Sequence, residues 1–197
     1  SELYQAIERN QLYVYYQPKV CIDNSEIRGV EALLRWSHPE KGFISPAEFI
    51  PVAEETGYIN KLGHWVLKQA VAQAEEWRLM GIKSLVVSVN LSAVQLSQSD
   101  IVTQIEQVIE AVKLPAELLE LELTESAVMN NVEKTIDTLN KIHELGVQLS
   151  IDDFGTGYSS LSYLKRFPLD TLKIDQSFVR DITTDPDDAT ICKTIVG

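Results

Sequence analysis

Residues 84–124 read SLVVSVNLSAVQLSQSDIVTQIEQVIEAVKLPAELLELELT, and their periodicities decide the fold class. SLVVSVNLS has the β-branched run of a strand. Ser99 is placed to cap a helix that brings Ile101, Ile105, Val108 and Val112 to one face, and LLELELT is the next strand. The pattern continues toward the C-terminus: Asn130 or Asn131 caps a helix burying Val132, Ile136, Leu139, Ile142 and Leu145. Gly146, the strand VQLSI, a short helix near Ser159 to Arg166 and the strand TLKID follow. Toward the N-terminus, Leu62, Trp65, Val66, Ala70, Trp77 and Met80 keep a helical period between Ile59 and Met80. Before it, Ser45-Pro46-Ala47-Glu48 has the spacing of a capping box with proline at the first helical position, and Gly57 is placed to stop that helix. The chain opens with a hairpin, LYVYYQPKV and IRGVEALLRW around the polar CIDNSE.

Strands alternating with amphipathic helices make a parallel sheet, either open and doubly wound or closed into a (β/α) barrel. The polar residues at the strand ends separate the two. Glu31 and Arg35, Asn90, Glu122 and Glu125, Asp152 and Asp153, and Lys173 and Asp175 end several different strands. A barrel with its site at the C-terminal face requires that distribution, whereas an open sheet gathers its site at one switch point. The expected fold is therefore α/β, a TIM-like barrel. About 250 residues is typical for eight strand-helix units, and only some six strands are legible in 1–197, so the barrel is expected to be truncated before its last strands.

The 197 residues carry 17 Lys and Arg against 29 Asp and Glu, a formal charge of −12, which disfavours a sequence-independent grip on a DNA or RNA duplex. Cys21 and Cys192 lie far apart and suggest neither a disulfide framework nor a zinc site. No apolar run reaches the roughly 18 residues of a membrane span. Together these give a cytoplasmic location as the expectation. His38, His64 and His143 lack HxxxH or HExxH spacing and there is no GxSxG, which argues against a zinc protease or serine hydrolase. FGTGYSS lacks the GK[ST] of a phosphate loop; its glycines read as an unusual turn. Trp65, Trp77 and Phe154 read as core or rim.

Glu31, Asn90, Glu122, Asp152 and Asp153 form the group that carries chemistry, with the hard oxygen donors that Mg²⁺ or Mn²⁺ prefers. Any one of them alone reads more simply as a helix cap or an ion-pair partner. Five from four strands concentrate negative charge that needs a cation. The adjacent pair Asp152-Asp153 leaves the barrel rim, and one aspartate bridging two ions would suit in-line attack on a phosphodiester. Lys173, among apolar neighbours in TLKID, is placed to orient water or meet a phosphate; its plainer reading is an ion pair with Asp175 or another carboxylate.

Glu31-Ala32-Leu33 in GVEALLRW, with YYQP, SPAEFIPVAEETG, VNLS, ELTES, DDFGTGYSSLSYLKRFPLD and LKIDQSFV in the same order, resembles the EAL domain family over essentially the whole chain. The resemblance implies a (β/α) barrel whose first strand is antiparallel, and metal-dependent hydrolysis of cyclic di-GMP to linear pGpG. It implies Glu31, Asn90, Glu122 and Asp152 as metal ligands, with Asp153 shared between two ions, Mg²⁺ or Mn²⁺. Lys173 would hold the attacking water, making Lys173, Glu31 and Asp153 the catalytic group. Gln17, Leu33 and Arg35 would face the ligand. Glu125 would anchor the DDFGTGYSS loop, coupling the site to a homodimer interface near residues 152–160. The family continues into a strand bearing EGVE and a last strand bearing a glutamine, and neither lies in 1–197, so the EAL domain is expected to be C-terminally incomplete. Sensor or GGDEF modules, sometimes in membrane-anchored proteins, are the expected fused partners. Two other function classes stand beside the enzyme: a receptor that binds cyclic di-GMP without cutting it, and an interaction scaffold, which leaves the strand-end carboxylates without a purpose.

Overall fold

The computed structural model describes residues 2–155 and 165–196. A short helix α1 (Glu2–Ala6) precedes the hairpin β1 (Leu12–Val20) and β2 (Ile27–His38), and β3 (Gly42–Ile44) folds back on β2. Helices α2 (Pro46–Glu55) and α3 (Ile59–Leu79) lead to β4 (Val86–Asn90), then α4 (Ala93–Leu96) and α5 (Ile101–Val112) to β5 (Leu119–Thr124). Next come α6 (Glu125–Met129), α7 (Val132–Glu144), β6 (Gln148–Phe154), β7 (Thr171–Ile174), α8 (Gln176–Arg180) and α9 (Pro186–Val196).

The sheet order is β1-β2-β4-β5-β6-β7, with β1 antiparallel to β2 and β2 through β7 parallel. Among the described residues, neighbours follow chain order with no reversal and no switch point. The architecture is that of a TIM-like barrel, with the antiparallel first strand that was expected.

Period-two alternation explains how one strand serves two environments. In LELELT, Leu119, Leu121 and Leu123 are fully buried in the core with Ile105 of α5 and Leu139 and Ile142 of α7, while Glu120, Glu122 and Thr124 alternate to the inner face. Val87 and Val89 of β4 and Leu149 and Ile151 of β6 join the same core. Each such side chain contributes about 1.5–3 kcal/mol, so the apolar face fixes the register and the register fixes the tier of each polar residue. A second cluster, including Leu3, Trp36, Phe49, Tyr58 and Leu62, closes the N-terminal side.

Several local expectations need correction. The helix from Ile101 has Asp100, not Ser99, at its N-cap position, and no side chain caps it. At α2 the expected capping box does not form: Ser45 Oγ caps the helix by accepting from Ala47 N at 3.3 Å rather than from Glu48 N, and Gly57 follows with φ +73°. The complete capping box is at Ser92 and Gln95, opening α4 directly after Asn90. Asn131 stands at the N-cap of α7 in a left-handed conformation (φ 53°) without a side-chain cap bond. Met80 lies past the end of α3 and is 72% exposed rather than buried. The helix expected near Ser159 falls almost wholly outside the described residues.

Candidate metal centre

Carboxylate oxygens of Glu31 on β2, Glu122 on β5 and Asp152 on β6 lie within 4.8 Å of one another. Glu122 pairs in register with Asn90 of β4, whose Nδ2 donates to Glu31 Oε1 at 3.0 Å. Lys173 of β7 places its ammonium among the three carboxylates: Nζ is 2.6 Å from Glu122 Oε2, 3.0 Å from Asp152 Oδ2 and 3.3 Å from Glu31 Oε2. Burial works to lower the Lys173 pKa, but Glu122, then Asp152 and Glu31, more than offset it and hold the pKa above the ordinary lysine value. A cation already stands where the negative charge converges.

The donor set fits a hard divalent ion. Three carboxylates and an amide are oxygen ligands of the type Mg²⁺, Mn²⁺ and Ca²⁺ take, and the amide of Asn90 presents its oxygen to the same space once flipped. Asp153 does not join the trio. The β6–β7 register breaks between Ile151 and Phe154, and Asp153 has φ +55°, so the pair departs from regular strand geometry. Asp153 instead shares a hydrogen bond with Asp175, and its pKa is raised by burial first, then by Asp152 and Asp175. Asp175 caps α8, accepting from Ser177 N at 2.8 Å, and is not the partner of Lys173.

Leu33 and Arg35 line a cavity of about 620 Å³ that also reaches Asn90, Glu122 and the apolar wall of Pro46, Ile50 and Leu62. The Arg35 guanidinium lies 6.0 Å from the centre of the Tyr15 ring. Gln17 is the register partner of Glu31 across the hairpin. Glu125, 4% exposed at the start of α6, accepts from Gly155 N at 3.1 Å. Gly155 has φ +101°, and a Cβ there would meet the Phe178 ring at 2.9 Å, so the exit from β6 is fixed from two sides. Residues 156–160 of the expected dimer loop lie outside the described residues.

The EAL domain family model matches residues 1–197. The chain belongs to the EAL domain family. It is 45% identical over 196 residues to the bifunctional diguanylate cyclase/cyclic di-GMP phosphodiesterase MucR of Pseudomonas aeruginosa, covering 100% of this chain and 29% of MucR. It is 44% identical over 197 residues to the cyclic di-GMP phosphodiesterase PdeR of Escherichia coli, covering 100% of this chain and 30% of PdeR. The chain thus spans about a quarter to a third of the length of the curated relatives it matches. Among solved structures, the PaMucR phosphodiesterase in complex with c-di-GMP superposes with a TM-score of 0.95 at 45% identity, over 99% of this chain and 79% of that one. The FimX EAL domain superposes at 0.89 with 26% identity, over 99% and 78%.

A polar tier beneath this EAL site was not anticipated. Lys19 of β1 donates to Ser88 Oγ, to Glu120 Oε1 at 2.7 Å and to Glu122 Oε1 at 2.6 Å, and Ser88 Oγ donates to Glu120 Oε1 at 2.6 Å. Fully buried Ser150, the register partner of Glu122, has a side-chain oxygen without a hydrogen-bond partner. The signal was available. Lys19, Ser88, Glu120 and Ser150 each stand two residues from Gln17, Asn90, Glu122 and Asp152, on the same strand face.

Proposed function

We propose that this chain hydrolyses cyclic di-GMP to linear pGpG with Mg²⁺ or Mn²⁺, two ions in all. One observation carries the reading: three carboxylates from three strands converge on one cation-sized space beside a 620 Å³ cavity lined by Leu33 and Arg35. That its relatives MucR and PdeR are named as cyclic di-GMP phosphodiesterases supports it. Glu31, Asn90, Glu122 and Asp152 would hold the first ion, with Asp153, released from Asp175, shared with a second. Bound there, the ions would supply positive charge that acidifies water and offsets the charge developing on phosphate.

The chain's own residues do the rest. Arg35 binds the phosphate, Leu33 packs against the ligand and Gln17 meets a guanine edge. Lys173 holds and orients the attacking water. The water oxygen bonds to one phosphorus and gives up a proton to solvent, one P–O ester bond breaks, and the departing ribose oxygen takes up a proton, so the ring opens to pGpG. Glu125 keeps the exit from β6, and hence Asp153, in place. We further propose a homodimer through residues 152–160, fusion to sensor or GGDEF modules, and a cytoplasmic location. Among the described residues no helix is long and apolar enough to cross a membrane.

The test is turnover of cyclic di-GMP to pGpG by the 197-residue chain with Mg²⁺ or Mn²⁺, alongside Glu31→Ala. Turnover abolished by the substitution is the expected result. Binding of cyclic di-GMP without any pGpG would replace the enzyme by a receptor.

A further inference from the structure

Glu122 is held at both ends. Its side chain is 0% exposed, with Lys19 2.6 Å from Oε1 and Lys173 2.6 Å from Oε2. The two ammonium groups are not equivalent. Lys173 also reaches Glu31 and Asp152, so it stands on the side where those carboxylates converge, and an ion taking their oxygens displaces it. Lys19 lies behind, on the tier below, and its hydrogen bonds to Ser88, Glu120 and Glu122 use all three of its donors. Ser88 is fully buried and the Glu120 side chain is 7% exposed, so the Lys19 side chain, 33% exposed along its length, ends against buried groups that include its own counter-charge.

We propose that Lys19 is a positioning residue for the metal centre: it grips the rear oxygen of Glu122 and leaves the front oxygen aimed at the ion. The inference rests on the metal reading of Glu31, Glu122 and Asp152. Its chemistry is that of an outer partner fixing a ligand. A carboxylate free at one end rotates toward another donor, and a site that must hold it in place again binds metal less tightly, typically by about 10–100-fold.

A second account of the same contact predicts the opposite sign. If Lys19 were only a neighbouring positive charge, removing it would strengthen binding of a divalent cation. Loss of positioning weakens it. Lys19→Met alone leaves Glu120 buried without its cation and Glu122 with Lys173 only, which can unfold the chain. The double variant Lys19→Met/Glu120→Gln removes one charge of each sign and preserves a hydrogen-bonding group beside Ser88.

The experiment is calorimetric titration of Mn²⁺ into the wild-type chain, Lys19→Met and Lys19→Met/Glu120→Gln, with melting of each in EDTA. The expected result is Mn²⁺ affinity about 10–100-fold weaker in both variants, with the metal-free melting temperature recovered in the double variant. Wild-type or tighter Mn²⁺ affinity in the double variant overturns the proposal, because Lys19 would then only balance Glu120. A wild-type chain that takes up no Mn²⁺ overturns the metal reading, and the role of Lys19 with it.

Discussion

Lys173→Met tests whether ammonium and metal compete for the same oxygens. Lys173 contacts three carboxylates at 2.6, 3.0 and 3.3 Å, and one of them, Glu122, is wholly buried. Breaking a buried pair by removing one partner costs about 3–5 kcal/mol. The lower end applies because Glu31 and Asp152 are 19% and 24% exposed and water reaches them in part. About 3 kcal/mol corresponds to a fall of roughly 6–12 °C in melting temperature for a chain of this size. In saturating Mg²⁺ the loss shrinks to less than half, because the metal meets the same carboxylates and stabilises the folded state by mass action. Mg²⁺ affinity rises in the variant while turnover disappears. The assay is thermal melting of both chains in EDTA and in Mg²⁺. Equal destabilisation in the two conditions would refute the reasoning, since ammonium and metal would then be using different oxygens.

Asp153 has a raised pKa, so the folded chain holds that proton more tightly than the unfolded one; its contribution to stability is complete below the ordinary carboxylate pKa of 3.8 and is lost as pH rises through the folded value. Asp153→Asn should therefore raise the melting temperature of the metal-free chain at pH 7, with the gain fading toward pH 4; melting across that range checks it. Glu125→Ala leaves Gly155 N–H without its 3.1 Å acceptor and should cost about 1–3 kcal/mol, read by urea denaturation and by faster hydrogen exchange at the Gly155 amide. In Gly63→Ala the new Cβ would meet the Gln95 side chain at 2.0 Å, and Gln95 is 7% exposed and engaged in the α4 capping box. Losing that box costs about 1 kcal/mol, which Gly63→Ala/Gln95→Ala should not increase further, as paired urea melts would show.

Element existence was legible wherever a long period was present: the hairpin, α3, α5, α7 and the parallel strands stand where their apolar spacing puts them. The four- and five-residue helices α4 and α6 were not, because so few residues carry no period; capping by Ser92 and Thr124 makes them, and both caps lie on the site's rim. Ser99 failed as a cap because nothing local distinguishes it from its neighbour Asp100; how the chain enters α5 is decided by burial of Ile101, which is 4% exposed. The backbone at Asp153 was not legible either: a break in the β6–β7 register and one positive φ set its geometry, and neither feature is written in the residue types.

The lower tier was written in the sequence and passed over. Attention to strand ends selected Asn90, Glu122 and Asp152, while the same alternation two residues earlier gives Ser88, Glu120 and Ser150 facing the same interior. Glu120 could not be buried there without a cation. Because β1 runs antiparallel to its neighbour, that cation had to be sought two residues after Gln17 rather than before it, which is Lys19. The reversal of the first strand thus has a chemical consequence: it brings a lysine beneath the carboxylates, opposite Lys173 at their front. Four carboxylates, Glu31, Glu120, Glu122 and Asp152, meet two ammonium groups, which leaves an excess of negative charge to attract a divalent ion. The front lysine competes with that ion and the rear lysine supports it, so substitutions of the two should move metal affinity in opposite directions.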